Sequence, residues 1–291
     1  MTEMTIREKG YHRWDGQLQS PAFPWLPMFW NGIKAAFKKR FAKGMLIFCS
    51  LPFFVFLIGI YVSTRPELRM LKDIVRLLDD DAKFFNIFLT NNNMTFLLIL
   101  LGTFLGAELI SGDIRFNAFP LYFARPLVRK DYITGKFSIL MFYFLLITGV
   151  PAILLYIFKV IFTGKLAIGF FTLVGLLAVP VIMSAFISSL VLMTSSITRN
   201  TRHAKIFIFM LYFLSMGLAE MLADIFKNSF FFLLSISHLV RQLGTFVFNI
   251  RPEFDYPAFL SLVVIAGLTL GAYFLIYRRI EKLEAQIESS N

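Results

Sequence analysis

The chain has few residues of the types that enzymes use as nucleophiles, general bases or metal ligands. It contains one cysteine, Cys49, and three histidines, His12, His203 and His238, with no His-x-x-x-His spacing. Cys49 lies in an apolar run, where a free thiol usually acts as a small apolar side chain. The sequence therefore predicts no catalytic residue and no metal site.

A nucleotide-binding P-loop is also missing. That motif requires Gly-x-x-x-x-Gly-Lys followed by Ser or Thr, so that backbone N–H groups surround the phosphates. The pair Gly135-Lys136 is followed by Phe137 and has Lys130 at the position of the first glycine. We therefore predict a non-catalytic chain that carries no ATPase and no bound cofactor of its own.

The most unusual polar segment runs from Gly106 to Lys136. It mixes charged residues with large apolar ones, which a solvated loop rarely contains. This composition is typical either of a docking surface for another protein or of a helix lying on a membrane, and composition alone leaves both open. The candidate residues of a docking surface are Glu108, Asp113, Arg115, Phe119, Phe123, Arg125, Pro126, Arg129, Tyr132, Gly135 and Lys136.

Long uncharged runs must position this segment. Of the 291 residues, 57% are hydrophobic and only 16% are charged. A membrane span needs about 20 apolar residues as a helix, because lipid offers the backbone no hydrogen-bond partners. The sequence thus predicts an all-α, multi-pass membrane protein. The six predicted spans are at about 45–63, 94–110, 137–162, 166–194, 206–222 and 258–277.

The basic residues predict the orientation of these spans. With six spans, the two termini and the two loops 111–136 and 199–205 lie on the same side of the membrane. This side has 19 of the 29 Lys and Arg residues. Such an excess marks the cytoplasmic side. We therefore expect both termini in the cytoplasm, with the chain in the plasma (inner) membrane. The net charge of +11 then reflects orientation and not nucleic-acid binding.

The predicted domain pattern is a cytoplasmic segment at 1–44, a transmembrane domain at 45–277 and a cytoplasmic tail at 278–291. Before the first span, apolar and basic residues alternate at helical spacing, which predicts an amphipathic elbow helix in contact with membrane lipid. This helix either serves as an anchor alone or also touches a cytosolic partner. Its candidate residues are Trp30, Ile33, Lys34, Phe37, Lys38 and Phe41.

Two outer segments are less regular. Residues 229–248 are apolar enough for a seventh span but contain His238, Arg241 and Gln242, and a charge facing lipid is costly. We therefore expect a re-entrant or interfacial hairpin on the outer side. Residues 64–93 include apolar positions at helical spacing between 68 and 78, which predicts a short surface helix.

Two other classes of membrane protein fit the composition. An intramembrane lipid-modifying enzyme would need polar residues gathered at one depth, and the predicted topology separates the three histidines. An ion-coupled transporter would need charges in mid-membrane on broken helices. Pro52, Pro151 and Pro180 could break three spans, but none has an ionisable neighbour.

The segment 108–136 resembles the permeases of ABC-2-type transporters. The similarity lies in Glu108-Leu-Ile-Ser-Gly-Asp113, in Ala124-Arg125-Pro126 with Arg129, and in Tyr132 with Gly135-Lys136. The six-span pattern, the elbow helix and the outer hairpin extend it along most of the chain. The chain departs from the family at Phe116–Phe119, where a Gly-Thr-Leu turn is usual.

This resemblance implies a transporter whose substrate path is formed by two permease copies, as a homo- or heterodimer. It also implies an ABC ATPase subunit on a separate chain, with ATP and Mg²⁺ bound there. The loop between the second and third spans would couple the two subunits, and export is favoured over import. The sequence does not indicate the substrate.

Overall fold

The computed structural model describes residues 23–63, 80–123, 127–164 and 169–288, and within these ranges the chain is helical with no strand. The helices are α1 Leu26–Lys38, α2 Arg40–Cys49, α3 Leu51–Ser63, α4 Asp81–Thr90, α5 Asn92–Leu105, α6 Ala107–Arg115, α7 Phe119–Phe123, α8 Arg129–Ile147, α9 Gly149–Thr163, α10 Phe170–Ile197, α11 Thr201–Phe226, α12 Ile236–Val247 and α13 Phe259–Glu288. A 3-10 helix, Ser229–Leu234, separates α11 from α12.

Six helical runs in the described part of the chain are long and apolar enough to cross a membrane, which confirms the predicted fold class. They are Arg40–Ser63, Asp81–Arg115, Arg129–Thr163, Phe170–Ile197, Thr201–Phe226 and Phe259–Gln286, which we number as the first to sixth spans. Several extend beyond the apolar runs. The second span begins at Asp81 because the side chain of Asp80 accepts hydrogen bonds from the N–H groups of Ala82 and Lys83, and so caps the helix.

The fourth span, α10, lies at the centre of the bundle, where it packs on α6, α8 and α13. The close approach of the second span to the fourth span depends on two glycines. A Cβ added at Gly102 or Gly106 would lie 2.8 or 2.4 Å from the side chain of Val191. This glycine pair therefore serves packing within the subunit, as small residues often do between membrane helices. A Cβ at Gly267 or Gly271 would meet open space, so that pair has no such role here.

The segment that resembled a seventh span forms the 3-10 helix and α12, which has 12 residues and is too short to cross a bilayer. Its polar residues bind locally. Gln242 bonds to backbone atoms of Glu253, Phe254 and Tyr256, and Arg241 pairs with Glu253. The surface helix expected between 68 and 78 lies outside the described residues.

One end of the bundle carries the described parts of the chain that are nearest in sequence to both termini. We call it the terminal face, and define it by α1, the segment 107–136, the segment 198–205 and the C-terminal half of α13. The sulfur of Met28 in α1 would be 2.9 Å from a Cβ at Gly135, so the glycine lets α1 lie against the start of the third span. The segment that resembles the ABC-2 pattern thus lies between the first and last helices.

Candidate coupling surface at the terminal face

The helix of the second span is interrupted at Gly106, and the short helix α6 that follows is held by the fourth span. The hydroxyl of Ser195 accepts hydrogen bonds from the N–H groups of Ile110 and Ser111, at 3.2 and 3.1 Å, and donates one to the carbonyl of Ala107 at 2.8 Å. The start of a helix leaves its first four N–H groups without intrahelical partners, here those of residues 107–110. Ser195 supplies a partner for one of them, that of Ile110, and so attaches α6, which carries Glu108 and Asp113, to the fourth span.

Glu108 forms an ion pair with Lys39, with 2.8 Å between Oε2 and Nζ. Lys39 has an extended backbone between α1 and α2, so it marks the point where the chain turns from one helix into the other. The side chains of Lys39 and Glu108 are 60% and 50% exposed, respectively. Water screens an exposed pair of this kind, so it contributes little stability and can exchange partners.

Asp113 and Lys136 form a second ion pair, which is mostly buried. The Nζ–Oδ2 distance is 2.7 Å, and the two side chains are only 16% and 8% exposed. The hydroxyl of Tyr132 donates to the same carboxylate oxygen at 2.6 Å. The Lys136 ammonium also lies over the rings of Tyr122 and Tyr132, at 5.6 and 5.4 Å from their centroids. This cluster joins the end of the second span to the start of the third.

Tyr122 shows the effect of this environment on a neighbouring group. Burial and the negative charge of Asp113 together raise the pKa of Tyr122 to about 12. Both causes disfavour the charged phenolate. Tyr122 therefore keeps its proton at physiological pH, and its ring stays available to the Lys136 ammonium.

Arg129 joins the loop to the last helix. Its guanidinium binds Glu281 at 2.8 Å and also Glu284, and it lies 5.9 Å from the centroid of the Tyr277 ring. The two carboxylates are three residues apart and so share one face of α13. Because α13 continues as a helix to Glu288, the predicted tail is an extension of the sixth span over most of its length.

The aromatic residues of the loop are divided differently from the sequence expectation. Phe119, which we expected at the docking surface, is 2% exposed, because its ring packs on Tyr132 at a centroid distance of 5.4 Å. Phe116 and Leu121 are instead 73% and 76% exposed. The guanidinium of Arg115 lies 5.3 Å from the centroid of the Phe116 ring. The Phe123 side chain and all of Arg125 and Pro126 lie outside the described residues.

Helix α1 has a buried and an exposed side, but it ends at Lys38, so that Phe41, which we expected in the elbow helix, lies in α2 at the start of the first span. Ile33 is buried, and its carbonyl accepts a hydrogen bond from Tyr143 at 2.9 Å. The exposed side chains of α1 include Trp30 and Phe37, together with Lys34 and Lys38. The helix is thus attached to the third span while much of its apolar surface has no partner within the described chain.

Sequence reasoning missed five residues that organise this face, namely Lys39, Tyr122, Ser195, Glu281 and Glu284. The spacing of the two glutamates on one helix face was a usable signal, since such a pair suits a bidentate guanidinium. Lys39 gave no separate signal among the neighbouring lysines. Among the described residues, no group of three or more His, Cys, Asp or Glu lies close enough together to hold a metal ion.

The sequence is similar to one family of known proteins over most of its length. Residues 27–282 match the model of the ABC-2 family transporter protein family. This range includes every described ion pair of the terminal face except the one between Arg129 and Glu284. None of the curated proteins compared with the chain matches it. A match over so much of the sequence, together with six spans, establishes the class of the protein. The chain belongs to the ABC-2 family of transporter proteins.

Proposed function

We propose that this chain is the permease subunit of an ABC transporter that couples, through the terminal face, to an ATPase on a separate chain. Permeases of this family generally work with such a subunit. The observation that carries the proposal is the exposure of Phe116 and Leu121 beside Arg115, at a face whose helices are joined by ion pairs. Aromatic and arginine side chains supply much of the binding energy in protein interfaces.

The arrangement supports transmission of force as well as docking. Asp113 precedes α7 in the sequence and Arg129 follows it. Asp113 pairs with Lys136 of the third span, and Arg129 pairs with two glutamates of α13. A partner that displaces the loop would therefore displace these helices with it. An ATPase can drive such a change only if it binds one arrangement of the permease more strongly than the other.

The proposal includes a second permease copy, as a homo- or heterodimer, with the substrate path formed by the two. It also places the chain in the plasma (inner) membrane with the terminal face in the cytoplasm, and favours export over import. The uneven distribution of Lys and Arg supports this orientation. Alkylation of Ser290→Cys and Asp80→Cys by an impermeant reagent, each in a Cys49→Ala background, tests it in intact cells. We expect only the cysteine at 80 to react, and reaction at 290 would contradict the orientation.

Docking is tested by truncating Phe116 and Leu121 together to Ala and measuring how much ATPase co-purifies with the tagged chain. We expect a loss of about 2–4 kcal/mol of binding free energy, as for two interface side chains of high contribution. The matched control is Phe230→Ala with Leu234→Ala, an exposed Phe and Leu at the opposite face. Normal ATPase stoichiometry in the first variant would contradict docking at α7 and make α1 the better candidate.

A second test uses the purified chain without any partner. Because its sequence has no P-loop, we expect only background ATP hydrolysis. The same preparation supplemented with the co-purifying ATPase should show hydrolysis that the permease modulates. Sustained hydrolysis by repurified permease alone would overturn the assignment of the ATPase to another chain.

A further inference from the structure

A cavity of about 590 Å³ lies where α1 and α2 meet the second and third spans. Its volume is in the usual range for a site that takes a small molecule or one chain of an amphiphile. The walls are mainly apolar and include Ala35, Phe41, Phe104 and Leu105. Arg115, Phe116 and Leu121, which we propose as the docking surface for the ATPase, do not line this cavity.

Polar groups are confined to part of the lining. Lys39, Glu108, Asp113 and Lys136 all contribute to it, so two ammonium groups face two carboxylates. The buried pair, Asp113 with Lys136, is already satisfied by Tyr132. The pair of Lys39 with Glu108 is half-exposed and can exchange its partners for those of a ligand.

The two parts of the cavity follow each other along the second span. Glu108 comes four residues after Phe104 and three after Leu105, which corresponds to about 4.5–6 Å of helix rise. An amphiphile whose head binds at Glu108 would thus have its first methylene groups against these two apolar side chains. Phe41 faces them from α2, with its ring centroid 4.9 Å from that of Phe104.

We propose that this cavity binds one phospholipid with a phosphoethanolamine headgroup. The lipid phosphate accepts a hydrogen bond from the Lys39 ammonium, the lipid ammonium donates to the Glu108 carboxylate, and one acyl chain packs against Phe41, Phe104 and Leu105. A zwitterionic headgroup leaves both side-chain charges paired, whereas a net anionic headgroup would leave Glu108 without a counter-charge. Choline is less suitable, because its quaternary ammonium has no N–H to donate.

The test is native mass spectrometry of the purified full chain with phosphatidylethanolamine, phosphatidylcholine or phosphatidylglycerol of identical acyl chains. We expect one phosphatidylethanolamine to bind with a Kd about tenfold lower than either other lipid, which corresponds to about 1.4 kcal/mol. Glu108→Gln should remove this preference while binding of phosphatidylcholine stays unchanged. Equal affinity for the three lipids, or tighter binding of phosphatidylglycerol, would overturn the proposal.

Filling the cavity tests its location. Ala35→Phe should weaken binding of all three lipids at least tenfold, because the new ring occupies the space of the acyl chain. The matched control, Ala266→Phe, makes the same change at an exposed position of α13 and should bind lipid as the unchanged protein does. If Ala35→Phe retains the phosphatidylethanolamine preference at normal affinity, the lipid binds elsewhere. Glu108→Gln keeps the proposal testable should the larger substitution prevent folding.

Discussion

The buried ion pair between Asp113 and Lys136 allows a quantitative prediction about stability. In Lys136→Met the aliphatic stem is retained and the ammonium is lost, so that among the described residues the Asp113 carboxylate keeps the Tyr132 hydroxyl as its one side-chain partner. Removing one member of a buried pair usually costs about 3–5 kcal/mol, because the remaining charge is buried without compensation. The retained hydroxyl places the expected loss at the lower end, at about 3 kcal/mol.

The double variant should be much less affected. In Asp113→Asn with Lys136→Met, both charges are gone and the side-chain volumes are nearly unchanged, so no charge is left to desolvate. Replacement of a whole buried pair by neutral groups of similar size is often close to neutral. We expect the two single changes to differ from additivity by at least about 2 kcal/mol, which a double-mutant cycle measures directly.

The assay is reversible unfolding of the purified chain in mixed micelles, with denaturing detergent as the variable and the four proteins of the cycle compared. Lys39 and Glu108 provide an internal control, because their side chains are 60% and 50% exposed and their coupling should be below about 1 kcal/mol. A cost of less than about 1 kcal/mol for Lys136→Met, or additive single changes, would show that the pair contributes no cohesion between the second and third spans.

Three further predictions address other parts of the bundle. Gly102→Ala should destabilise the chain by about 1 kcal/mol or more, since its Cβ would lie 2.8 Å from Val191, and Val191→Ala should reduce that penalty in the same unfolding assay; equal penalties in both backgrounds would contradict the packing. The double change Glu281→Gln with Glu284→Gln should speed amide hydrogen exchange in the last turns of α13 about fivefold, because partly exposed ion pairs contribute about 1 kcal/mol. Unchanged exchange would show that Arg129 does not stabilise these turns. Burial and the charge of Arg241 lower the pKa of His238 from 6.5 to about 4. The free energy of unfolding should therefore fall by up to about 3 kcal/mol as the pH decreases from 6.5 to 4, and the variant His238→Phe should lack this dependence.

The direction in which His238 changes stability with pH follows from proton binding. The unfolded chain takes up a proton on His238 near pH 6.5, whereas the folded chain resists protonation until about pH 4. Stability due to this histidine is therefore complete above pH 6.5 and lost towards pH 4. A variant that shows the same pH dependence as the unchanged protein would place the cause in other groups.

The helical class and the six spans were predictable, because a bilayer imposes length and polarity on each run before tertiary contacts matter. The helix ends were less so. The extension of the second span to Asp81 depends on a cap by the Asp80 side chain, and the extension of the last helix to Glu288 is accompanied by contacts with Arg129. Such polar residues read as loop or tail when only hydropathy is considered.

The candidate site was predictable in its position and not in its orientation. Residues 108–136 were identified from composition and resemblance, and the structure gathers the described ones at one face. Phe119 was expected at the surface and is buried. The spacing of the residues could not reveal this, because Phe116 lies between two helices and Phe119 begins a helix of only five residues, which is too short to show a period. Burial of Phe119 depends on Tyr132, thirteen residues further on, and therefore on how the third span returns.

The contacts of Arg129 have a consequence for biosynthesis. Its carboxylate partners lie 152 and 155 residues further along the chain. While the first three spans are being inserted, these carboxylates have not yet been made, so Arg129 still counts as a free positive charge when the orientation of the spans is decided. The charge is neutralised only when the sixth span has entered the bilayer. One arginine can thus first direct insertion and later hold the completed bundle closed.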